Sequence, residues 1–237
     1  MKIGILQCGH AIDEVLDTFG DYDRWFQTLL TDHGFDFETF NVVDMEFPAS
    51  VAACDGWLLT GSRHGAYEDH AFIAPLSDFI RDAFGQHVPM VGICFGHQII
   101  AQALGGKVEK YKGGWAIGHH TYNWPGLGDV SMNVWHQDQV TELPQDARPI
   151  ASSEFCEFAA LVYDDRVWTV QAHPEISNPI LSDYLEIRGK QATYPADLIA
   201  SAKAKINQAI NSDAIAAKIA AFFKNNRIKN IRTGAHV

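Results

Sequence analysis

The stretch Gly92-Ile93-Cys94-Phe95-Gly96-His97-Gln98 sets a thiol between two glycines. It follows the apolar run Val88-Pro89-Met90-Val91 and opens the helix-like run Ile99-Ile100-Ala101-Gln102-Ala103-Leu104. That order is a strand, a tight turn with a reactive side chain at its apex, and a helix. It has the G-x-nucleophile-x-G form of a nucleophile elbow, with cysteine where an esterase has serine. A thiol there meets the positive end of the helix macrodipole, which favours the thiolate that attacks carbonyl carbon. The Phe95 N–H would point to the same place and hold a developing oxyanion. The flanking glycines are expected because a sharp turn tolerates little bulk.

A thiol nucleophile needs a base, and the base needs an orienter. Residues 166–172 read as a strand, and at its end stand His173-Pro174-Glu175. His173 is thereby expected at the carboxyl edge of the sheet, the edge that also carries Cys94. Pro174 restricts the backbone so that His173 and Glu175 can project to one side. Glu175 would then accept the imidazole N–H and stabilise the imidazolium. The chain holds 11 histidines, so spacing alone leaves His173 one candidate among several. His97, about one helical turn past Cys94, is expected to pack or hydrogen-bond beneath the elbow.

The elements that must position these groups follow from hydrophobic period. Strands are expected at residues 2–8, 35–40, 54–59 and 89–93, and helices at 22–33 and 75–84. This alternation predicts an α/β fold with a mostly parallel sheet covered on both faces, in which ligands bind outside the carboxyl ends of the strands. The loop Thr60-Gly61-Ser62-Arg63-His64-Gly65 and Cys94 both fall at such ends. Between residues 107 and 171 strand candidates at 108–111, 118–122, 130–135, 157–163 and 166–171 follow one another without long helices, which reads as a small antiparallel extension. A tight turn is expected at 163–166. Helices are expected at 180–187, 195–211 and 212–223, and a frayed tail from Lys224 that holds Lys224, Arg227, Lys229, Arg232 and His236. One domain over 1–237 is expected, with its core at about 1–190 and a helical C-terminal extension at about 191–237.

Hydrophobic residues make up 47% and charged residues 20% of the 237, an ordinary globular balance. A formal charge of −11 with no cluster of lysine and arginine argues against nucleic-acid binding. No apolar run is long enough for a membrane span, and the N-terminal run is too short for a secretory signal. Cysteines at 8, 54, 94 and 156 form no C-x-x-C pair, which argues against a disulfide framework and points to a reducing cytoplasm. His119-His120 and Glu68-Asp69-His70 lack the spacing of a known metal motif, so no metal is expected. Neither Gly105-Gly106 nor Gly113-Gly114 belongs to a phosphate loop or dinucleotide fingerprint, and no cofactor is expected.

Gly92-Ile93-Cys94-Phe95-Gly96-His97-Gln98 together with His173-Pro174-Glu175 resembles the class I, triad-type glutamine amidotransferases, in the family's order and at about its separation. The likeness runs from the first strand through Glu175 and implies a flavodoxin-like fold. It implies that Cys94 attacks the side-chain amide of glutamine through a γ-glutamyl thioester, that His173 moves the proton, and that Glu175 orients His173. Gly61 resembles the family's oxyanion-hole glycine, acting with the Phe95 N–H, and Gln98 the residue that contacts bound glutamine. Trp135-His136-Gln137-Asp138 resembles the x-His-x-Asp loop beside the glutamine site, which marks His136, Gln137 and Asp138 as substrate contacts. Two departures stand out. Ala116 occupies a stretch where the family often has an acidic or polar residue. The loop after Gly61 ends in Tyr67-Glu68-Asp69, like the stand-alone, guanylate-synthetase-glutaminase-like group, and lacks the glycine-glycine-proline form of synthase subunits.

The reading these features favour is hydrolysis of glutamine with release of ammonia, the acceptor being a possible separate synthetase. One alternative keeps the chemistry and changes the leaving amine: a γ-glutamyl peptidase acting on γ-glutamyl amides or glutathione-like conjugates. Another is a regulatory or binding subunit of an aminating synthetase. A cysteine-bearing α/β fold of the glyoxalase/chaperone kind is opposed by Gln98 and the His-Pro-Glu match.

Overall fold

The computed structural model describes residues 1–233. Its strands are β1 (Lys2–Leu6), β2 (Asp36–Phe40), β3 (Gly56–Leu59), β4 (Met90–Ile93), β5 (Lys107–Lys110), β6 (Ala116–Trp124), β7 (Gly128–His136), β8 (Asp138–Glu142), β9 (Ala147–Ala151), β10 (Ala160–Tyr163) and β11 (Val167–Val170). The helices are α1 (Asp13–Phe19), α2 (Tyr22–Leu29), α3 (Ile73–Gly85), α4 (Phe95–Ala103), α5 (Asn178–Ile187), α6 (Ala196–Ala204) and α7 (Ser212–Thr233). The main sheet has seven strands in the order β2-β1-β3-β4-β11-β10-β9. β2, β1, β3, β4 and β11 run parallel, and β10 and β9 close the edge antiparallel. This is the mostly parallel α/β arrangement expected from the alternating pattern, of the flavodoxin-like kind that the family resemblance implies.

The strands are apolar on both sides because both faces are covered. Trp57 and Leu59 of β3 face a core shared with Leu76 and Ile80 of α3 and Ile99 and Ile100 of α4. Leu58, between them, faces the opposite core with Phe26 and Leu30. The same core takes in Ile215, Ile219 and Phe223 of α7, so the C-terminal helix packs on the sheet. No helix among the described residues is long and apolar enough to cross a membrane.

Three expectations need correction. The small antiparallel extension is present as the pairs β5-β8 and β6-β7 but does not take in all of 107–171: β9 and β10 join the main sheet and β11 lies parallel beside β4. The helix expected at 195–211 ends at Ala204. There the chain tightens into i to i−3 turns through Lys205, Ile206 and Gln208. Asn211 then binds β7, its N–H donating to the Ser131 carbonyl and its Oδ1 accepting from the Ser131 N–H, both at 2.7 Å. Two bonds to a strand outweigh continued helix. Finally, α7 does not stop at Phe223 but runs to Thr233, since no glycine or proline intervenes before Gly234. The remainder of the expected frayed tail, residues 234–237, lies outside the described residues.

Candidate active site

Cys94 lies between β4 and α4, with φ 52° and ψ −102°. A non-glycine residue at positive φ is strained, and such strain clusters at functional sites. The turn is held on both sides: the Cys94 N–H donates to the Val170 carbonyl at 2.9 Å, and the Gly96 N–H to the Thr60 carbonyl at 3.1 Å. The flanking glycines are there for close approach, since the positive φ belongs to the cysteine. A Cβ on Gly92 would lie 2.6 Å from the Gly96 carbonyl group, and one on Gly96 would lie 2.4 Å from the Leu59 carbonyl oxygen. Phe95 is the first helical residue, so its N–H has no partner one turn back within the helix.

β11 brings the second half of the site. Its parallel register sets Val170 opposite Ile93, so both strands end level and the chain beyond each emerges at the same edge. The His173 N–H donates to the Asn133 carbonyl at 2.9 Å, which pins the residue to β7. Its Nδ1 is 2.6 Å from Glu175 Oε1, and both side chains are buried. Burial lowers the basicity of the His173 ring. The charges and hydrogen bonds of Cys94 and Glu175 outweigh it and raise the pKa well above the ordinary value. Gly61 sits against both partners: a Cβ there would be 3.0 Å from His173 Cε1 and 3.9 Å from Cys94 Cβ. The structure therefore brings Cys94, His173, Glu175, Gly61 and Phe95 together.

Gln171 is a site residue that the sequence reading passed over. It is fully buried, and its Nε2 donates toward Cys94 Sγ at 3.6 Å. Its Oε1 accepts from Gln98 Nε2 at 3.0 Å, and Gln98 Nε2 also reaches the Asp138 carbonyl at 2.9 Å. The only sequence signal was a polar residue ending an apolar strand two positions before His173. Gln98 thus lines the cleft, with its amide nitrogen committed to a polar relay from Asp138 to the thiol.

The cleft has a volume of about 180 Å³. Cys94, Gln98, His136, Gln137 and Asp138 all line it. Gln137 is the hinge between β7 and β8 and exchanges hydrogen bonds with Tyr111, and Asp138 accepts from the Tyr67 hydroxyl at 3.2 Å. Burial raises the Asp138 pKa. Arg63, Lys110 and Arg188 add cations, and none of the three forms an ion pair among the described residues. Arg188 lies over the rings of Trp135, Tyr184 and Tyr194 and donates to the Tyr194 hydroxyl. Ala116 is buried in β6 and does not line the cleft, whereas its neighbour Trp115 does.

His97 is fully buried beneath the elbow, its Nδ1 2.8 Å from Thr169 Oγ1, the packing role expected for it. Burial pushes the pKa of both His97 and His136 down to about 3. The sign of the consequence is fixed. With folded pKa values near 3 and an unfolded value of about 6.5, the unfolded chain takes up protons first as pH falls. Stability is lost through that window, by about 3 kcal/mol for the pair between pH 6.5 and pH 5. His173 has the opposite sign and offsets that loss by only about 0.4 kcal/mol over the same window. Its raised pKa contributes stability that is fully present well below about pH 6.5 and is lost as pH rises from there through the folded value. Urea unfolding at the two pH values measures this, and equal free energies at both would contradict it.

The model of the family described as glutamine amidotransferase class-I matches residues 15–185. Gamma-glutamyl peptidase 4 of Arabidopsis thaliana is 35% identical over 185 residues, 71% of this chain and 73% of that protein. The glutamine-hydrolyzing GMP synthase of Bordetella parapertussis is 32% identical over 68% of this chain, but the match spans only 34% of the synthase. Among solved structures, a glutamine amidotransferase from Thermotoga maritima superposes with a TM-score of 0.72 over 95% of this chain and 98% of its own, at 19% identity, a likeness of fold. With a family model matched over most of its length and relatives above 30% identity, this chain belongs to the class-I glutamine amidotransferases and is a cysteine-dependent amidohydrolase of that family.

Proposed function

We propose that this enzyme hydrolyses γ-glutamyl amide bonds whose leaving amine is an amino acid or peptide, the γ-glutamyl peptidase alternative. The observation that carries this reading is the likeness to gamma-glutamyl peptidase 4, higher in identity than that to the GMP synthase and spread over 73% of the peptidase. It displaces free glutamine as the favoured substrate. The cleft agrees with it. A leaving amine of this kind bears a carboxylate, and Arg63, Lys110 and Arg188 are cations without an acidic partner among the described residues. A charge-assisted hydrogen bond to one of them contributes about 1.5–3 kcal/mol, tenfold or more in kcat/KM.

In this reading the Cys94 thiolate attacks the γ-carbonyl carbon, and the tetrahedral oxyanion is held by the Gly61 and Phe95 N–H groups. The C–N bond breaks, and the amine leaves with the proton carried by His173. A water that gives its proton to His173 then attacks the thioester. The C–S bond breaks, glutamate departs, and the thiolate–imidazolium pair is restored. Glu175 holds the ring in the tautomer and orientation that both transfers need, and Gln171 donates toward the resting thiolate. The γ-glutamyl head lies against His136, Gln137, Asp138 and Gln98. Purified protein is expected to cleave a γ-glutamyl dipeptide at least about tenfold better in kcat/KM than it releases ammonia from glutamine. Faster turnover of glutamine would restore the ammonia-releasing reading, and activity only on addition of an aminating synthetase would favour the subunit reading.

A further inference from the structure

The loop that follows Gly61 carries a second set of groups that this chemistry does not use. His64, Glu68 and His70 each offer one ligand atom, and these atoms all lie within 4.8 Å of one another. His70 Nε2 is 2.8 Å from Glu68 Oε2, and His64 Nδ1 is 4.0 Å from the same oxygen. The two imidazole rings are tilted against each other with centroids 4.0 Å apart. The sequence spacing does not reveal this group, because His64 lies four residues before Glu68 in a loop and joins Glu68 and His70 only through the fold.

We propose that His64, Glu68 and His70 bind one divalent transition-metal ion of the zinc class at the lip of the catalytic cleft. Two imidazoles and a carboxylate are a nitrogen-rich donor set, suited to zinc, cobalt or nickel and poorly suited to magnesium or calcium, which prefer oxygen alone. Around an ion bound at about 2.0–2.1 Å, tetrahedral ligand atoms stand about 3.3 Å apart. The separations to Glu68 of 2.8 Å and 4.0 Å straddle that value and every pair lies within 4.8 Å, so side-chain rotations that move the ligand atoms by about 1–1.5 Å close the set. The platform is already built. The Gly65 N–H holds Glu68 Oε2 at 3.0 Å, and both imidazoles rest on buried Phe72, with ring centroids at 5.8 and 6.1 Å. Side-chain exposures of 22%, 45% and 39% for His64, Glu68 and His70 leave room for water in the remaining position, as in an exchangeable three-ligand site.

The site adjoins the catalytic one at two points. His64 and Glu68 line the cleft, and Phe72 packs on Phe95 of the elbow at 6.0 Å between centroids. An ion there draws two cleft-lining side chains to one point and so reshapes the mouth through which substrate enters.

Zinc titrated into the Cys94→Ala protein by calorimetry tests the site with the rival thiol removed; the other three cysteines are buried. One equivalent is expected to bind at about micromolar Kd, about tenfold or more weaker in His70→Ala and lost in the His64→Ala/His70→Ala double variant. Cobalt is expected to give a visible absorption band that the double variant lacks. His70 does not line the cleft, so His70→Ala in the otherwise unaltered enzyme is expected to retain basal turnover. Zinc at about the wild-type Kd, too dilute to fill the weakened His70→Ala site, is expected to raise KM in the wild type and to leave KM of His70→Ala nearly unchanged. Absence of saturable binding below about 100 µM zinc, or equal affinity in the double variant, overturns the site. Equal inhibition of wild type and His70→Ala would assign the zinc effect to the thiol and overturn the coupling to the cleft.

Discussion

Cys94→Ala is expected to lower kcat by about 10⁴-fold or more while the protein stays folded. No other side chain can replace the sulfur. The remaining cysteines at 8, 54 and 156 are buried, and burial pushes the thiols of Cys8 and Cys156 up to about 12, far from a reactive thiolate. On the proposed mechanism, what survives is the oxyanion pocket of Gly61 and Phe95 and the binding wall, which would hold substrate without attacking it. Removing Sγ costs a long contact from Gln171 at 3.6 Å and the hydrogen bond with His173, and creates no clash. Steady-state hydrolysis of a γ-glutamyl dipeptide, with circular dichroism as the control for folding, measures the effect. Wild-type turnover in the folded alanine variant would remove the thioester and, with it, the whole assignment of roles.

Gly96→Ala is expected to lower activity through packing, less steeply than Cys94→Ala does and at a cost in stability. The added methyl would stand 2.4 Å from the Leu59 carbonyl oxygen and 2.8 Å from Leu59 Cβ, far inside van der Waals contact with a backbone that β3 holds in the sheet. Either α4 moves away from β3 or the Gly96–Thr60 hydrogen bond is lost. We expect destabilisation of about 1–3 kcal/mol from overpacking. We also expect kcat/KM to fall about 100-fold, because a shift of α4 carries the Phe95 N–H and Cys94 with it and misplacement by about 1 Å is enough for that loss. Urea unfolding and steady-state kinetics read the two effects separately. Unchanged stability and activity would mean that the close approach of α4 to β3 is not what the glycine serves.

The local parts of this protein could be read from its residues. Short apolar runs marked β1, β3 and β4, and the glycines around Cys94 marked a turn into a helix, because each signal lies within a few neighbouring positions. Boundaries moved by one to a few residues where capping and tertiary bonds decided them, as at α6, which yields to the Asn211–Ser131 pair. Helix α1 and strands β8 and β9 were not anticipated at all. They are short, and their burial comes from partners remote in the chain.

The types and order of the groups proposed to do the chemistry were written in the sequence alone: a thiol at a strand-to-helix turn, then an imidazole and a carboxylate after a later strand. Their convergence was not. It depends on β11 lying parallel beside β4 in one register, a pairing between segments that the chain keeps 77 positions apart at Gln171 and Cys94. Strand pairing of that range follows from which apolar faces the folded core can bury together, and no local pattern encodes it. The same is true of Gln171 under the thiol and of His64 beside Glu68 and His70. Each is an ordinary polar residue in the sequence, and each acquires its chemical meaning only from the neighbours that folding supplies.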